Sequence, residues 1–122
     1  KIAIKPGKPL AFGEITSSGK PVWFVGLPGN PVSSFVTFVT LVRPFIRRLQ
    51  GVQQVLPRAF AMRADFDWQK ADPRQEFLRA RINADGGLEL FPNQGSGVTT
   101  SLVWGDGLVV NPPDTTIARG EL

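Results

Sequence analysis

The sequence predicts an α+β fold in two parts: the end of an α/β domain, made of strands and one long helix, and then a small all-β, barrel-like domain. Apolar residues recur at helical spacing between residues 30 and 50. After residue 57 the apolar pattern changes to alternation, which is typical of strands. Thirteen glycines and eleven prolines indicate many turns. We therefore divide the chain into residues 1–52 and residues 57–122.

Three short strands are predicted before the helix. Residues 2–4 form the first strand, which ends at the loop Lys5-Pro-Gly-Lys-Pro9 because proline cannot donate to a β-ladder. Residues 10–15 and 21–25 then predict a β-hairpin with its turn in residues 16–20.

One long helix is predicted over about residues 30–50. Asn30 is a suitable N-cap, and Pro31 fits the first helical position, where its missing N–H costs nothing. Pro44 breaks this pattern. Because it removes the bond to the Thr40 carbonyl, we expect it to kink the helix.

About five strands are predicted in the second part. Residues 60–66 alternate between apolar and polar side chains. The Asp85-Gly86 pair is a strong hairpin signal between residues 76–82 and 88–91. Residues 98–104 fit either a strand or a short helix, and residues 107–110 predict a further strand.

The composition excludes several classes of site. The chain has no cysteine and no histidine, so disulfides, thiolate metal sites and imidazole catalysis are excluded within it. No apolar run reaches the roughly 18 residues needed to span a bilayer. We expect a cytoplasmic protein with no membrane partner.

The charge is uneven along the chain, and it favours anionic ligands at the N-terminal end. Residues 1–50 carry seven cations and one acid, a net charge of +6, whereas residues 51–122 carry seven cations and nine acids, a net charge of −2. Such an excess attracts phosphate or nucleic acid, and it also occurs on ordinary solvated surfaces.

Two N-terminal segments are candidates for an anion site. Lys1, Lys5 and Lys8 lie in or beside a proline-restrained loop, although solvated loop lysines are the more common interpretation. The turn from Gly26 to Pro31 opens a helix whose free N–H groups can bind an anion, and it can equally be a tight strand-to-helix connection.

Two C-terminal segments could face an anion as well. Arg79 and Arg81 point to one face of a predicted strand, where an arginine can bind a phosphate with two parallel bonds. The alternative is an outward-facing polar side of the strand, which we prefer for Arg81. Ser96 lies in a glycine-rich loop that suits phosphate contact, but no general base is available to make it a nucleophile. The spacing of Asp65, Asp67 and Asp72 lacks the pattern of a calcium loop, so we predict no metal ligand in this chain.

Two motifs together resemble a known family. The stretch Lys1-Ile-Ala-Ile-Lys-Pro-Gly-Lys-Pro-Leu-Ala-Phe-Gly13, followed by Phe24-Val-Gly-Leu-Pro-Gly-Asn-Pro-Val-Ser33, is similar to the molybdopterin molybdenumtransferases, the family of MoeA and the gephyrin E-domain. Weaker similarity continues through residues 76–80, 93–97 and 107–110. The resemblance covers nearly the whole chain but corresponds to the C-terminal third of such an enzyme.

The resemblance implies an activity and an assembly. The family inserts molybdate into adenylylated molybdopterin and releases AMP, with the help of Mg²⁺ or another divalent cation. Its members are homodimers, with the active site between the α/β domain of one subunit and the β-barrel of the other. Residues 1–52 would then be the C-terminal end of a MogA-like molybdopterin-binding domain, and residues 57–122 would be the barrel. The family's barrel usually continues past the stretch that ends here at Leu122, so we expect its last strand to be truncated.

The resemblance also implies roles for single residues. The catalytic lysines of the family match Lys1 and Lys5, and the substrate-binding positions match Pro28, Gly29, Asn30, Pro31, Arg79 and Ser96. Arg79 and Ser96 of a second subunit would face the two lysines. Because the family's metal-, molybdate- and pterin-binding aspartates precede residue 1, we predict that this chain alone is inactive.

Two other functions compete with this one. A gephyrin-like, non-catalytic scaffold would need a peptide groove. A basic module that binds nucleic acid would need a basic barrel, and the net charge of −2 in residues 51–122 argues against it. We therefore expect small-molecule substrates and a homodimer, with no nucleic-acid partner.

Overall fold

The computed structural model describes residues 2–122, and the predicted role of Lys1 lies outside the described residues. We number the strands β1 to β6 and the helices α1 to α3. In chain order the elements are β1 (Ile4–Lys5), β2 (Ala11–Ser17), β3 (Lys20–Gly26), α1 (Pro31–Thr37), a π-helical segment (Phe38–Val42), α2 (Arg43–Leu49), β4 (Gln75–Ile82), β5 (Leu88–Leu90), α3 (Thr100–Trp104) and β6 (Gly107–Asn111).

Strands β2 and β3 form the predicted hairpin, closed by the two-residue turn Ser18-Gly19. Both turn residues have positive φ angles, 51° and 75°, as the favoured hairpin turns require. The hairpin packs on the helix through three aromatic rings. Phe12 stacks on Trp23 with 5.7 Å between ring centroids, and both rings meet Phe45 edge-on.

The predicted long helix is present over residues 31–49, but it is not one regular α-helix. A π-helical turn separates α1 from α2, and the Arg43 N–H donates to the carbonyl of Phe38, five residues back. Pro44 follows directly. Its missing N–H therefore falls where the helical hydrogen bonds have already shifted to a spacing of five residues, and the kink expected at Pro44 stays a prediction. Asn30 occupies the N-cap position as predicted, yet its side chain makes no capping bond.

Strand β4 is the centre of the main sheet, and β6 pairs antiparallel with it from Glu76 to Ala80. The opposite edge is shared by two strands: β1 pairs in parallel with the start of β4, and β5 pairs antiparallel with its end. The backbone hydrogen bonds show that β1 and β5 lie on the same edge of β4. The Gln75 N–H donates to the Ala3 carbonyl, and the Arg79 carbonyl accepts from the Phe91 N–H. Gln75 and Arg79 are an even number of residues apart, so their backbone groups point to the same edge of the strand. A gap around residues 77–79 therefore separates β1 from β5.

The core joins the helix to this sheet. Val32 and Val36 of α1 are fully buried against Phe77 of β4. Ile4, Leu102 and Leu108 pack around them. The first and last parts of the chain thus share one apolar cluster, which positions the β3–α1 turn above β4.

The α+β class is confirmed, but the prediction of an all-β barrel for residues 57–122 is wrong. The sheets are mixed and open, and residues 100–104, which fitted either a strand or a helix, form α3. The strand predicted over residues 60–66 is also absent: Ala64 and Phe66 are buried as the alternation indicated, but Phe60, on the same predicted face, is exposed. Ala64 makes an isolated bridge to Leu88, and its own N–H and carbonyl pair with Glu121 and Gly120.

The other hairpin prediction is confirmed. β4 and β5 are joined through residues 83–87, where Gly86 has a φ of 77°. Within residues 2–122 no helix is long and apolar enough to cross a membrane.

Candidate functional site

A cleft of about 630 Å³ lies at the gap between β1 and β5. Its walls come from the loop after β1, the β3–α1 turn, the segment that leads into β4, and the glycine-rich loop before α3. The lining residues are 5–9, 28–30, 33, 68, 70, 74, 76–79 and 94–96.

Most of the residues that the resemblance singled out meet at this cleft. Lys5, Arg79 and Ser96 line it. Pro28, Gly29 and Asn30 line it from the β3–α1 turn. Pro31 does not: it is exposed at the first position of α1. The functional roles of all these residues stay predictions.

Both walls of the cleft belong to one chain. The resemblance implies that a second subunit supplies Arg79 and Ser96 opposite Lys5. In the structure, β1 pairs with β4, and this pairing brings Lys5 to the same cleft as Arg79 without a partner. The expectation that the facing wall needs a second subunit is therefore corrected.

Arg79 is a buried cation with neutral partners, and its residue is only 2% exposed. Its Nε, Nη1 and Nη2 donate to Ser101 Oγ at 3.2 Å, the Phe77 carbonyl at 3.3 Å and the Gly95 carbonyl at 3.2 Å. No ion pair in the described part of the chain involves it. Burial lowers its pKa, because desolvation disfavours the charged form. A buried, uncompensated guanidinium beside a cleft is suited to bind an anion.

Gln94 fixes the glycine-rich loop next to Arg79. The Arg79 N–H donates to Gln94 Oε1 at 2.8 Å, and Gln94 Nε2 donates to the Arg79 carbonyl at 3.0 Å and to the Phe91 carbonyl at 2.8 Å. The side-chain amide thereby takes the place of a strand partner in the gap. Sequence reasoning missed this role, since nothing in the sequence distinguishes Gln94 from any other loop glutamine.

Lys5 reaches two carboxylates from the opposite wall. Its Nζ lies 3.0 Å from Asp72 Oδ2 and 3.8 Å from Glu76 Oε2, and its side chain is 40% exposed. Hydrogen bonds from Arg74, first from its side chain and then from its backbone, hold the pKa of Asp72 well below the ordinary value, and Lys5 adds to this effect. The same pairing raises the pKa of Arg74.

Glu76 is a buried carboxylate that sequence reasoning also missed. It is 1% exposed, and its Oε1 accepts from Trp68 Nε1 at 2.9 Å and from Asn111 Nδ2 at 3.1 Å. Its Oε2 is buried and has no hydrogen-bond partner among residues 2–122. Nothing in the sequence distinguishes Glu76, because the same strand also carries Arg79 and Arg81, and the partners of Glu76 lie in other segments.

The cleft as a whole is cationic. Among the described residues, five cations line it, Lys5, Lys8, Lys70, Arg74 and Arg79, against one carboxylate, that of Glu76. Lys8 and Lys70 are exposed and make no ion pair within residues 2–122. This excess of positive charge attracts anionic ligands.

A divalent cation does not fit the described residues as well as an anion does. No group of three or more acidic side chains that could hold a metal ion occurs in residues 2–122. Mg²⁺ prefers several oxygen ligands, and this cleft offers mainly nitrogen donors. We derive no step through a metal in this chain.

Comparisons with known proteins give a consistent result. The family described as the MoeA C-terminal region (domain IV) matches residues 61–122. A molybdopterin molybdenumtransferase of Haemophilus influenzae is 48% identical over 93 residues, which cover 74% of this chain and 22% of that protein. The molybdenum cofactor synthesis protein cinnamon of Drosophila melanogaster is 37% identical over 95% of this chain and 19% of its own length.

The fold matches a solved structure. A molybdenum cofactor biosynthesis protein from Pyrococcus furiosus superposes with a TM-score of 0.71 at 26% identity. The match covers 98% of this chain and 40% of that protein. The chain thus spans only about one fifth of the length of the first two curated relatives.

Proposed function

This chain belongs to the family of the MoeA C-terminal region, and from that premise we propose that it is the C-terminal part of a molybdopterin molybdenumtransferase. The full protein would insert molybdate into adenylylated molybdopterin and release AMP. Its substrates would be small molecules of molybdenum cofactor biosynthesis, and its compartment the cytoplasm. The cleft described above would contribute one part of the active site.

The observation that carries this proposal is the buried guanidinium of Arg79. Its partners are two carbonyls and a hydroxyl, and no carboxylate neutralises it in the described part of the chain. Molybdate and phosphate are tetrahedral oxyanions that accept charge-assisted hydrogen bonds from such a group. Binding one of them would supply the missing negative charge, which makes the cleft a site for an oxyanion of the substrate.

The other cleft residues would complete the binding. The Lys5 ammonium is a mobile cation that can follow an oxyanion, and its exposure allows this movement. The Ser96 hydroxyl can donate to an oxygen of the ligand. Pro28 and Gly29 would shape the wall opposite Arg79, with Asn30 at its end. Lys1 and Pro31 stay candidates by resemblance alone.

We also propose that residues 1–52 complete a larger, MogA-like α/β domain in the full protein. Large apolar side chains are exposed on the hairpin and on the second half of the helix, and Phe12, Ile15, Phe24, Leu41 and Leu49 are among them. An apolar surface of this extent is normally covered in a folded protein. A homodimer, and a divalent cation held by residues outside this chain, belong to the same proposal.

The alternative functions have less support. A nucleic-acid module would need cations spread over an accessible surface, whereas Arg79, the cation on which the proposed site depends, is buried in a cleft. No observation favours a peptide-binding scaffold.

The direct test is a reaction with the full-length protein, adenylylated molybdopterin and molybdate. We expect AMP release that depends on molybdate. Release of AMP at the same rate without molybdate, or no release at all from a folded protein, would contradict the proposal.

A further inference from the structure

Two carboxylates hold Lys5 at the cleft, and they depend on it to different degrees. The Lys5 ammonium makes a hydrogen bond of 3.0 Å with Asp72 Oδ2, whereas Glu76 Oε2 lies 3.8 Å away, beyond hydrogen-bond distance. The closer contact is to the carboxylate that has other partners.

Both carboxylate oxygens of Asp72 accept hydrogen bonds from Arg74. Its Oδ1 accepts from the Arg74 backbone N–H at 3.0 Å and from Nε at 2.8 Å, and its Oδ2 accepts from Nη2 at 3.0 Å. Lys5 is the fourth donor to this carboxylate. Asp72 can therefore lose Lys5 and still keep a bidentate, charge-assisted pair.

Glu76 has no such partner in the described residues: it is near enough to help raise the pKa of Arg74, but Arg74 makes neither a hydrogen bond nor an ion pair with it. Its Oε1 accepts from the neutral groups of Trp68 and Asn111, and its Oε2 accepts no hydrogen bond from any described residue. The only ion pair of Glu76 within residues 2–122 is the one with Lys5. Because a buried charge without a counter-ion is costly, Glu76 needs Lys5 to stay nearby.

We infer that Asp72 and Glu76 are positioning residues for Lys5: Glu76 keeps the ammonium at the cleft, and Asp72 holds it only until an oxyanion replaces that contact. An ammonium carries three N–H donors, so Lys5 can turn one toward the oxyanion and another toward Glu76. Asp72 then stays paired with Arg74. This inference rests on the proposed role of the cleft as an oxyanion site, and nothing in the sequence motifs points to either acid.

Binding of molybdate alone to the full-length protein tests the role of Asp72. Replacing Asp72 by Asn removes the competitor for Lys5, so we expect the Kd for molybdate to fall by about twofold to fivefold, the range for a partly exposed ion pair. In the Lys5→Ala background, Asp72→Asn is expected to have no effect. This background distinguishes an effect of Lys5 from an effect of Arg74, because Asp72→Asn also removes the ion pair between Asp72 and Arg74.

Three outcomes are informative. If Asp72→Asn leaves the Kd unchanged or raises it while Lys5→Ala weakens binding, the inference is wrong but the oxyanion site stands. A gain that persists without Lys5 belongs to Arg74 and also overturns the inference. If Lys5→Ala has no effect on the Kd, the role of Lys5 in the proposed function fails as well.

Local hydrogen exchange of β4 tests the role of Glu76. Lys5→Ala leaves Glu76 buried without its counter-ion, so we expect faster exchange in the peptide that contains residues 75–82. Adding Glu76→Gln removes the buried charge and should restore slow exchange, whereas adding Asp72→Asn should not. Equal rescue by both substitutions would contradict the distinction between the two acids.

Discussion

Gln94 pairs with the backbone of Arg79 as a neighbouring strand would. Its side-chain amide accepts from the Arg79 N–H at 2.8 Å and donates to the Arg79 carbonyl at 3.0 Å, in the gap between β1 and β5. The same residue leads directly into the loop of Gly95 and Ser96. The arginine and the loop are therefore held together by one amide group.

Removing this amide should loosen the loop and destabilise the fold. In Gln94→Ala the Arg79 N–H loses its partner, and we expect a loss of about 1–3 kcal/mol in the free energy of unfolding. Asn93→Ala is the matched control, since Asn93 accepts only one exposed bond, from the Gly95 N–H, and should cost about 0.5 kcal/mol. Chemical denaturation of both variants measures the difference. Equal losses would show that Gln94 is an ordinary loop residue.

Gly7, in the loop that follows Lys5, should not tolerate a side chain. Its φ is 125°, and a Cβ there would lie 2.3 Å from Thr37 Cγ2. Gly19 is the control: its φ is also positive, at 75°, but the space around it is open. We expect Gly19→Ala to cost about 1 kcal/mol from backbone strain alone. Gly7→Ala should cost roughly 1–3 kcal/mol more, because the clash adds to the strain.

Thermal or chemical unfolding of the two alanine variants tests this difference. A Gly7→Ala variant as stable as Gly19→Ala would mean that the loop relaxes away from the helix. Its contact with Thr37 would then not help to position Lys5.

Asp72 should make the protein sensitive to acid. Its pKa is lowered in the folded state, mainly by hydrogen bonds from Arg74, while an unfolded aspartate titrates near about 3.9. The stability that it contributes is therefore fully present above pH 4 and is lost as the pH falls below that value. We expect Asp72→Asn to be less stable than the wild type at pH 7, and this difference to shrink between pH 4 and pH 2. Unfolding free energies measured across this range would contradict the account if the difference stayed constant.

The hairpins and the helix could be predicted because their signals are local. Ser18-Gly19 and Asp85-Gly86 specify turns by their own backbone preferences, and Asn30-Pro31 marks a helix start. The strand expected over residues 60–66 is an example of what local signals do not predict. Alternation predicted the burial of Phe66, but it could not show that few strand partners are available to this segment.

The candidate site was predicted in part for the same reason. The segments with Lys5, Arg79 and Ser96 carry chemistry that is visible in the sequence, and the structure brings them to one cleft. Gln94 and Glu76 act through contacts with residues distant in the sequence, so no local pattern identified them. An open sheet instead of a closed barrel likewise depends on where β1, β5 and β6 meet β4.

If buried Arg79 binds the oxyanion, the affinity for molybdate depends on the planar guanidinium, and two lysine substitutions on one strand test this. Arg79→Lys keeps the charge but loses the planar set of donors, whereas Arg81→Lys makes the same change on an exposed residue of the same strand, which pairs with Glu89 and lies over Trp104. Molybdate affinity should be measured for both variants in the full-length protein. We expect binding to weaken about tenfold or more for Arg79→Lys, from the loss of about 1.5–3 kcal/mol for a hydrogen bond to a charged group, and to stay within about twofold of the wild type for Arg81→Lys. Unchanged affinity in a folded Arg79→Lys variant would show that Arg79 does not bind the oxyanion.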